Sequence, residues 1–541
     1  MGMLTRIALS CLSALLFRIS VPGAPLPAMV WVSLVPLGLA LHGSRPRQGL
    51  SLGFVYGFFF WVTWTWWLAI GLTDYVGVSF PANWFWMVMS SAYHALPLAA
   101  FGYCASLFKW TGKPLGAFRS AAAFTVIQLW FPQLLRANHA HSLFSTPLFI
   151  QVLDIAGVPL LLFSIAIVNM LLVDLILCIK DKRSLIPAAV TLVIVMGLTV
   201  GYGKYRLNNY HQEMRSAPPD RIIRIGSVQP NIPAPQEEVI EGVSVRKHIT
   251  ASEWRGSNQI HSLEKGLNIL FDMSRELVES HKNLDLIIWP EIPVVLECDR
   301  ETLAQQKITA FAEELQKPLL ITCVDYDEDG SEKNYNTAIF INQSDRSAPP
   351  YRRMILFPFA EYLPYEKEFP WLRKLFPEVQ NYIPGKEHVI YSLDGSKRVI
   401  PTLCYELAFS DHFRQFIKQG GNVVVNMVDD MWFGTTDASI GHCALGIFRA
   451  VEYRIPIVRV TNSGIGVFVQ PTGEIVPGSR TPLFEKAATS YPLLIPKEQR
   501  TLFFYVGNLF LWVLTAWCGM DALLLLMRVG GRRKGICQIS S

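Results

Sequence analysis

The run Gly53-Phe54-Val55-Tyr56-Gly57-Phe58-Phe59-Phe60-Trp61, continuing into Trp64, Trp66 and Trp67, decides the fold class. It mixes bulky apolar side chains suited to lipid tails with the aromatic anchors that gather at headgroup depth. Core helices of soluble proteins seldom carry such a density of Phe and Trp. A helix needs roughly 20 apolar residues to cross a hydrocarbon core of about 30 Å. Outward from this run, residues 4–20, 27–43, 50–71, 82–108, 119–137, 155–179 and 186–203 approach that requirement, and 502–527 adds an eighth stretch. Of the 541 residues, 51% are hydrophobic and 17% charged, which fits a membrane class. The net charge of +5 comes partly from short basic clusters beside apolar runs and argues against a nucleic-acid surface.

Those clusters predict the orientation, because Lys and Arg favour cytoplasmic loops. Arg45 and Arg47 follow the second stretch, Lys109, Lys113 and Arg119 the fourth, and Lys180, Lys182 and Arg183 the sixth. The intervening loops 21–26, 72–81 and 138–150 carry neither Lys nor Arg. The N-terminus is therefore expected inside and everything after the seventh stretch outside. Arg528, Arg532, Arg533 and Lys534 return the C-terminal tail to the inside. The first stretch, with Arg6 ahead of a short apolar run, also reads as a signal sequence, and neither reading alters the later topology.

From about 220 to 500 the composition becomes that of a water-facing α/β domain. Short β-branched runs at 222–229, 284–289, 319–324, 338–342, 399–404, 422–427, 455–460 and 466–470 predict strands. Helical patterns at 262–280, 301–316, 410–418 and 438–453 lie between several of them, predicting a buried sheet covered by helices. The polar stretch 205–220, with its Pro-Pro pair, reads as a linker. The expected division is a bundle of about seven helices over 1–204, the α/β domain over 220–500, and a final helix with a basic tail over 501–541. The nine cysteines show no CxxC and no Cys/His ligand spacing, which argues against a zinc site or a disulfide framework and leaves each to be judged singly.

Strand ends in this domain carry reactive groups. Leu284 to Trp289 runs into Pro290-Glu291, Val399 to Leu403 ends at Cys404-Tyr405-Glu406, and Tyr351-Arg352-Arg353 leads into Leu356-Phe357-Pro358-Phe359-Ala360-Glu361. A thiol needs a base to become a thiolate, and a cation or amide donor to hold the oxyanion formed when it attacks a carbonyl. A carboxylate, a cation and a cysteine at neighbouring strand ends supply all three. Singly, each has a plainer reading: a buried packing Cys, a turn at Pro-Glu, a solvated Arg pair.

In order, these segments resemble the nitrilase superfamily and, within it, the membrane-bound apolipoprotein N-acyltransferase family. The resemblance runs from Val228-Gln229-Pro230-Asn231-Ile232-Pro233 through Ile288-Trp289-Pro290-Glu291, Tyr335-Asn336-Thr337, Leu356 to Glu361 and Leu403-Cys404-Tyr405-Glu406. It continues in Trp432-Phe433-Gly434, His442 with Arg449-Ala450-Val451-Glu452, Arg459 to Gly464 and Pro471-Thr472-Gly473-Glu474-Ile475, with a weaker echo at Gln151 to Gly157. It implies a multi-helix transmembrane bundle of about eight helices plus a nitrilase-like four-layer αββα sandwich. It also implies a two-step reaction, in which a phospholipid gives an acyl chain to Cys404 and the free amine of a lipoprotein's S-diacylglyceryl cysteine takes it. Glu291 is then the general base, Arg353 the cation and Cys404 the nucleophile, with Glu361, Glu406, Tyr405 and Trp432 in support. No metal or dissociable cofactor is implied. The partners expected are a phospholipid donor, a diacylated lipoprotein acceptor and membrane lipids, without nucleic acid, for a monomer in the inner membrane whose catalytic domain faces the periplasm.

The chain departs from the family pattern at three places. Arg353 stands where the family has a lysine, with Lys333 and Lys367 well to either side. Arginine holds an oxyanion but exchanges no proton at neutral pH. Ala360 replaces a glycine before Glu361, and Asp429-Asp430 stand for Asn-Asp, adding a charge near the site. His442 is expected to be a structural helix residue, Asp430 to cap or turn its loop, and Trp432 to gate an acyl pocket or pack as a core or interface residue. Asp154 and Asn169, costly in lipid, are expected to bond between helices. Two other readings stand beside acyl transfer: a membrane-tethered nitrilase-type amide hydrolase, and a degenerate member that keeps the domain as a binding module.

Overall fold

The computed structural model describes the chain except residues 77, 112, 114, 183, 233–236, 241–242, 247–258, 300–301, 327–333, 343–347, 378, 498–499 and 538–541. Arg183, Pro233 and Lys333 therefore lie outside the described residues, and only the backbone of Arg528, Arg532, Arg533 and Lys534 is described. The chain forms two compact units, one of Met1–Ala69, Phe80–Asn209 and Arg500–Ser541, the other of Ile70–Ser79 and Tyr210–Gln499.

The first unit is helical. Helices Pro46–Trp64 and Ala82–Phe108 meet backbone to backbone along Gly49, Gly53 and Gly57. A Cβ on Gly53 would sit 2.1 Å from the Leu98 carbonyl oxygen, and one on Gly49 2.2 Å from that of Gly102. Small residues four apart permit this approach, which membrane helices use because lipid offers no hydrophobic drive to associate. Asn169 satisfies its amide between helices, donating to the Val30 carbonyl at 3.0 Å and accepting from the Leu34 N–H at 2.8 Å. Asp154 pairs with Arg206 at 3.0 Å and accepts from the Tyr202 hydroxyl at 2.8 Å, so both intramembrane polar residues make the helix-to-helix bonds expected of them.

Among the described residues, three helices are long and apolar enough to cross a membrane: Leu153–Lys180, Ile186–Arg215 and Leu509–Met527. The pair Pro46–Trp64 and Trp66–Thr73, bent by 44°, makes a fourth if counted as one span. Length and apolarity thus leave the count of about eight unestablished. The stretch 27–43 is divided into a 3-10 turn, Pro27–Trp31, and a short helix, Val35–Leu41, while 119–137 yields the 15-residue helix Gly116–Trp130. The linker expected at 205–220 is instead largely helix: Ile186–Arg215 runs on past its apolar part, because no breaker occurs before Ala217-Pro218-Pro219. A change of composition marked the end of apolarity there and not the end of the helix.

The second unit is built from strands β1 (Ile222–Gln229), β2 (Glu237–Ile240), β3 (Val243–Arg246), β4 (Leu286–Ile288), β5 (Leu319–Tyr326), β6 (Asn334–Ile341), β7 (Tyr351–Arg352), β8 (Tyr391–Ser392), β9 (Arg398–Leu403), β10 (Val423–Val428), β11 (Ile457–Thr461), β12 (Val467–Val469) and β13 (Ala487–Leu494). One sheet has the order β13-β1-β4-β5-β6-β7 and the other β12-β11-β10-β9-β8, with β2 and β3 as a separate hairpin. Each sheet has a parallel centre, β1-β4-β5 in one and β9-β10-β11 in the other, flanked by antiparallel strands. Strands β10 and β11 are buried throughout, as parallel strands covered on both faces require. Val228, Ile287, Trp289 and Ile321 of the first sheet pack against Leu267, Leu270 and Leu277 of helix Gln259–Ser280 and Ile308 and Phe311 of helix Leu303–Leu315. Helices Ser410–Lys418 and Ala438–Tyr453 accompany the second sheet. Asn462, after β11, ties the sheets at their strand ends: its side chain accepts from the Ile232 N–H at 3.0 Å and donates to the Ile232 carbonyl at 2.9 Å. The nitrilase-like α/β fold implied by the resemblance is present. The sequence reading lacked β13, which completes the edge beside β1, the short β8 and the β2–β3 hairpin.

The cysteines require a correction. Cys298 and Cys323 form a disulfide, although 25 residues and no motif separate them. The segment after β4 runs beside β5, where the Cys298 N–H donates to the Val324 carbonyl at 3.0 Å and brings the two sulfurs together.

Candidate active site

β9 delivers Cys404 and then stops, because Cys404 itself takes a left-handed backbone conformation, φ +49°, before the 3-10 turn Cys404–Ala408. A non-glycine residue there costs about 1–3 kcal/mol and persists only where its surroundings hold it. Two side chains do so. Asn426 of β10 donates to the Cys404 carbonyl at 3.1 Å, and Glu406 accepts from the Leu403 N–H at 2.8 Å. The chain thus turns sharply at Cys404, from strand into 3-10 turn.

Glu291 follows β4 in a second strained corner, with Ile292 at φ +40°. Thr322 of β5 fixes this corner by accepting from the Ile292 N–H at 2.7 Å and donating to the Pro290 carbonyl at 3.1 Å. The Glu291 carboxylate is buried and accepts from three donors: Arg353 Nη1 at 3.0 Å and Asn336 Nδ2 at 2.8 Å on Oε1, and the Asp429 N–H at 3.1 Å on Oε2. Arg353 is 3% exposed and also meets Glu361 Oε1 at 2.9 Å, so one cation bridges two buried carboxylates. The Arg353 Nε donates to the Ile355 carbonyl at 3.1 Å, which folds the guanidinium back over its own loop. Its neighbour Arg352 goes elsewhere, pairing with Asp325 at 2.6 Å and lying over the Tyr335 ring.

Glu361 closes its own turn by accepting from the Phe357 N–H at 2.7 Å. The left-handed residue of that turn is Phe359, φ +63°, and not Ala360, so the alanine in place of a glycine meets no backbone penalty. Glu406 is fully buried and touches neither Glu291 nor Cys404 through its carboxylate. Instead it accepts from the Tyr351 hydroxyl at 2.9 Å and the N–H groups of Met354 at 2.7 Å, Ile355 at 3.1 Å and Leu403 at 2.8 Å. It therefore locks the loop that presents Arg353 to the elbow that presents Cys404. Tyr405 packs edge-on against Phe357 and Phe409. Trp432 is 42% exposed, which removes the core reading for it.

The turn after β10 separates two adjacent acids. Asp430 is buried and held by Arg459 Nη2 at 2.9 Å, His442 Nδ1 at 2.9 Å and the Ser439 hydroxyl at 2.6 Å, so it anchors β10 to β11 and helix Ala438–Tyr453, where a simple loop cap was expected. His442 is a structural partner in that network. Burial opposes ionisation of Asp430, but Arg459 and His442 outweigh it and hold its carboxyl at about 2. Asp429 accepts from the Met431 N–H at 3.1 Å and has no paired cation among the described residues. Burial, and then the charge of Glu291, raise it to about 7. Burial likewise lifts Glu361 to about 7, against the pull of Arg353.

The structure thus brings Glu291, Arg353 and Glu361 into one ion cluster and sets Cys404 within its field. Burial raises the thiol well above its ordinary range, Glu291 raises it further, and Arg353 opposes both. A thiol so placed stays protonated until a base takes its proton. Asn336, Asn426 and Thr322 are the residues that the sequence reading missed as site builders. Only Asn336 had a signal, its place in Tyr335-Asn336-Thr337. Among the described residues, no group of three or more His, Cys, Asp or Glu side chains is placed to hold a metal ion.

Beside the site, residues 359–375 expose Phe359, Tyr365, Phe369, Trp371 and Leu375, the least of them 46% exposed.

Comparison with known proteins matches both parts of the chain. Residues 13–171 match the model of the apolipoprotein N-acyltransferase N-terminal domain, and residues 254–490 match that of carbon-nitrogen hydrolases. Apolipoprotein N-acyltransferase of Geobacter metallireducens is 26% identical over 538 residues, 96% of this chain and 95% of that protein. The enzyme of the same name from Thermotoga maritima is 25% identical, covering 98% of this chain and 96% of that one. That of Haemophilus influenzae is 25% identical, covering 90% and 88%.

Proposed function

The chain belongs to the apolipoprotein N-acyltransferase family, and on that premise we propose how its residues carry the reaction. It is a membrane acyltransferase that moves a fatty acyl chain from a phospholipid, through a thioester on Cys404, to the N-terminal amine of the S-diacylglyceryl cysteine of lipoproteins. The observation that carries the reading is the pairing of the two family matches, in order, with a buried Glu291–Arg353 ion pair coupled to a half-buried cysteine. The amide-hydrolase reading is disfavoured, since the match over 13–171 is to the acyltransferase's own N-terminal domain.

In the first step Glu291 takes the proton of the Cys404 thiol as sulfur attacks the ester carbonyl. The negative charge passes to the carbonyl oxygen, facing Arg353. Arg353 Nη2, which makes no hydrogen bond among the described residues, is the donor free to meet that oxygen. Collapse expels the lysophospholipid alkoxide, which recovers the proton from Glu291. In the second step the lipoprotein amine attacks the thioester, Glu291 takes a proton from nitrogen, and the departing thiolate receives it. Arg353 keeps its proton throughout, since burial is offset by Glu361, Cys404 and Glu291 and its pKa lies above the ordinary arginine value. Glu361 fixes the guanidinium, Glu406 fixes both loops, and Tyr405 and Trp432 border the acyl path.

About eight membrane crossings, with the domain of 220–500 outside and both termini inside, follow from the alternation of basic loops. The Cys298–Cys323 bond supports an oxidising, extracytoplasmic compartment, the periplasmic face of the inner membrane. The exposed aromatics of 359–375 suit a surface that meets lipid. The reaction needs a lipid donor and a lipoprotein acceptor, with the enzyme acting as a monomer without nucleic acid. The test is the full chain in detergent with phospholipid labelled in its acyl chain and a synthetic diacylated lipopeptide. Label on the lipopeptide amine supports acyl transfer; label released only as free fatty acid contradicts it.

A further inference from the structure

We propose that the Cys298–Cys323 disulfide is a positioning element of the active site: it fixes the segment that carries Glu291, so that Cys404 is acylated at full rate only when this bond is formed. The proposal rests on the function inferred above. Thr322, Cys323 and Val324 are successive residues of β5, and each holds a different point of the segment after β4. The Thr322 hydroxyl bonds the corner at Pro290 and Ile292, on either side of Glu291. Cys323 is joined covalently to Cys298. The Val324 N–H donates to the Leu296 carbonyl at 2.7 Å, and the Val324 carbonyl accepts from the Cys298 N–H at 3.0 Å. Val324 also stands opposite Asn336 in the pairing of β5 with β6, and Asn336 Nδ2 is the donor 2.8 Å from Glu291 Oε1. The base and its amide partner thus take their positions from one stretch of three residues.

Cys323 is fully buried in the core of the first sheet and Cys298 half-buried beside it, so the bond ties the segment to the rigid part of the unit. Without it, the far end of the segment keeps the hydrogen bonds of Val324 and that of Gln305 Nε2 to the Glu297 carbonyl at 2.9 Å, each worth about 0.5–1.5 kcal/mol net. Val294 and Leu296 stay packed in the core. Packing is non-directional, so it keeps the chain folded without pinning the segment along β5. A shift of about 1 Å at a catalytic group costs up to about a hundredfold in rate. Formation of the bond removes two electrons and two protons from the thiols, which a protein disulfide accepts by exchange as it becomes a dithiol. Full activity then awaits arrival of the domain in an oxidising compartment.

The test is acyl-Cys404 formation by the full chain in detergent, measured against the concentration of a phospholipid labelled in its acyl chain. Three samples are compared: oxidised wild type, wild type reduced by a phosphine, and Cys298→Ser with Cys323→Ser. The phosphine gives two electrons to the S–S bond, two thiols form with protons from water, and phosphorus keeps the oxygen as the phosphine oxide. It carries no thiol to intercept the thioester. Mass spectrometry verifies the two new thiols, and thermal melting verifies the fold at the assay temperature. The expected result is a limiting rate lower by roughly 10- to 100-fold in both altered samples, with the half-saturating lipid concentration unchanged and no further effect of phosphine on the serine pair. A limiting rate equal to that of the oxidised protein, a change confined to the half-saturating concentration, or a slowing of the serine pair by phosphine overturns the inference and leaves the function intact. A reduced chain without its fold at the assay temperature makes the bond a general brace and overturns it as well. Absence of the adduct from the oxidised wild type at every lipid concentration overturns both.

Discussion

Arg353 Nη1 lies 3.0 Å from Glu291 Oε1, and this buried pair joins the loop after β7 to the corner after β4. The same nitrogen holds Glu361 at 2.9 Å, so the cation is both a structural tie and the positive end of the site. Arg353→Ala leaves two buried carboxylates, Glu291 and Glu361, without the cation that pairs them. It is expected to cost about 3–5 kcal/mol of stability and to abolish acylation. Arg353→Lys keeps the charge and is expected to preserve or raise acyl transfer. Unfolding in detergent and initial rates check both, and an inactive lysine variant would show a pocket rebuilt around the guanidinium.

Glu406 makes its contribution through backbone. Glu406→Gln keeps the shape but loses the charge that accepts from Tyr351, Met354, Ile355 and Leu403 together. A loss of about 1–3 kcal/mol is expected, with slower alkylation or acylation of Cys404 as its elbow loosens. Unchanged stability would mean that the two loops are held by other contacts.

The Cys298–Cys323 bond predicts two fewer alkylatable thiols in unreduced, denatured protein than the nine cysteines of the sequence supply. Cys298→Ser with Cys323→Ser is expected to lower stability by about 2–4 kcal/mol. Mass spectrometry with and without reductant counts the thiols directly.

Glu361 makes stability depend on pH. Its carboxyl rises from an ordinary 4.5 to about 7 in the folded chain, so between those values the folded state binds more protons than the unfolded one. Stability from this group is full below about 4.5 and is lost as pH rises through about 7. Glu361→Gln is expected to flatten that slope in unfolding midpoints taken across the window. A slope unaltered by the variant would assign the effect to Asp429, which is raised over the same range.

Much of this was legible in the sequence, for identifiable reasons. Helices Ser410–Lys418 and Ala438–Tyr453 and strand β1 lie where their patterns put them, because local periodicity and final burial agree. Glu291, Arg353 and Cys404 were nameable from the order of short motifs. Their partners were not, because Asn426, Thr322 and Asn336 act across strand pairings that the chain order does not display. The disulfide was hidden for the same reason: Cys298 meets Cys323 through the bridge Glu297–Val324, a tertiary fact. Asp430 looked like a turn residue because Arg459 and His442, 29 and 12 positions away, are what make it an anchor. Crossing number stays open because Gly, Ser, aromatic and short broken segments pack inside the helical unit while falling short in length or apolarity.

The central claim is that Cys404 carries the acyl group. Purified full-length protein, incubated with a phospholipid of defined acyl chains and digested for mass spectrometry, is predicted to show that acyl mass on the peptide containing Cys404. The adduct should be removed by hydroxylamine and be absent from Cys404→Ala. An acyl mass on another residue, or transfer to lipopeptide at the wild-type rate by Cys404→Ala, would contradict it.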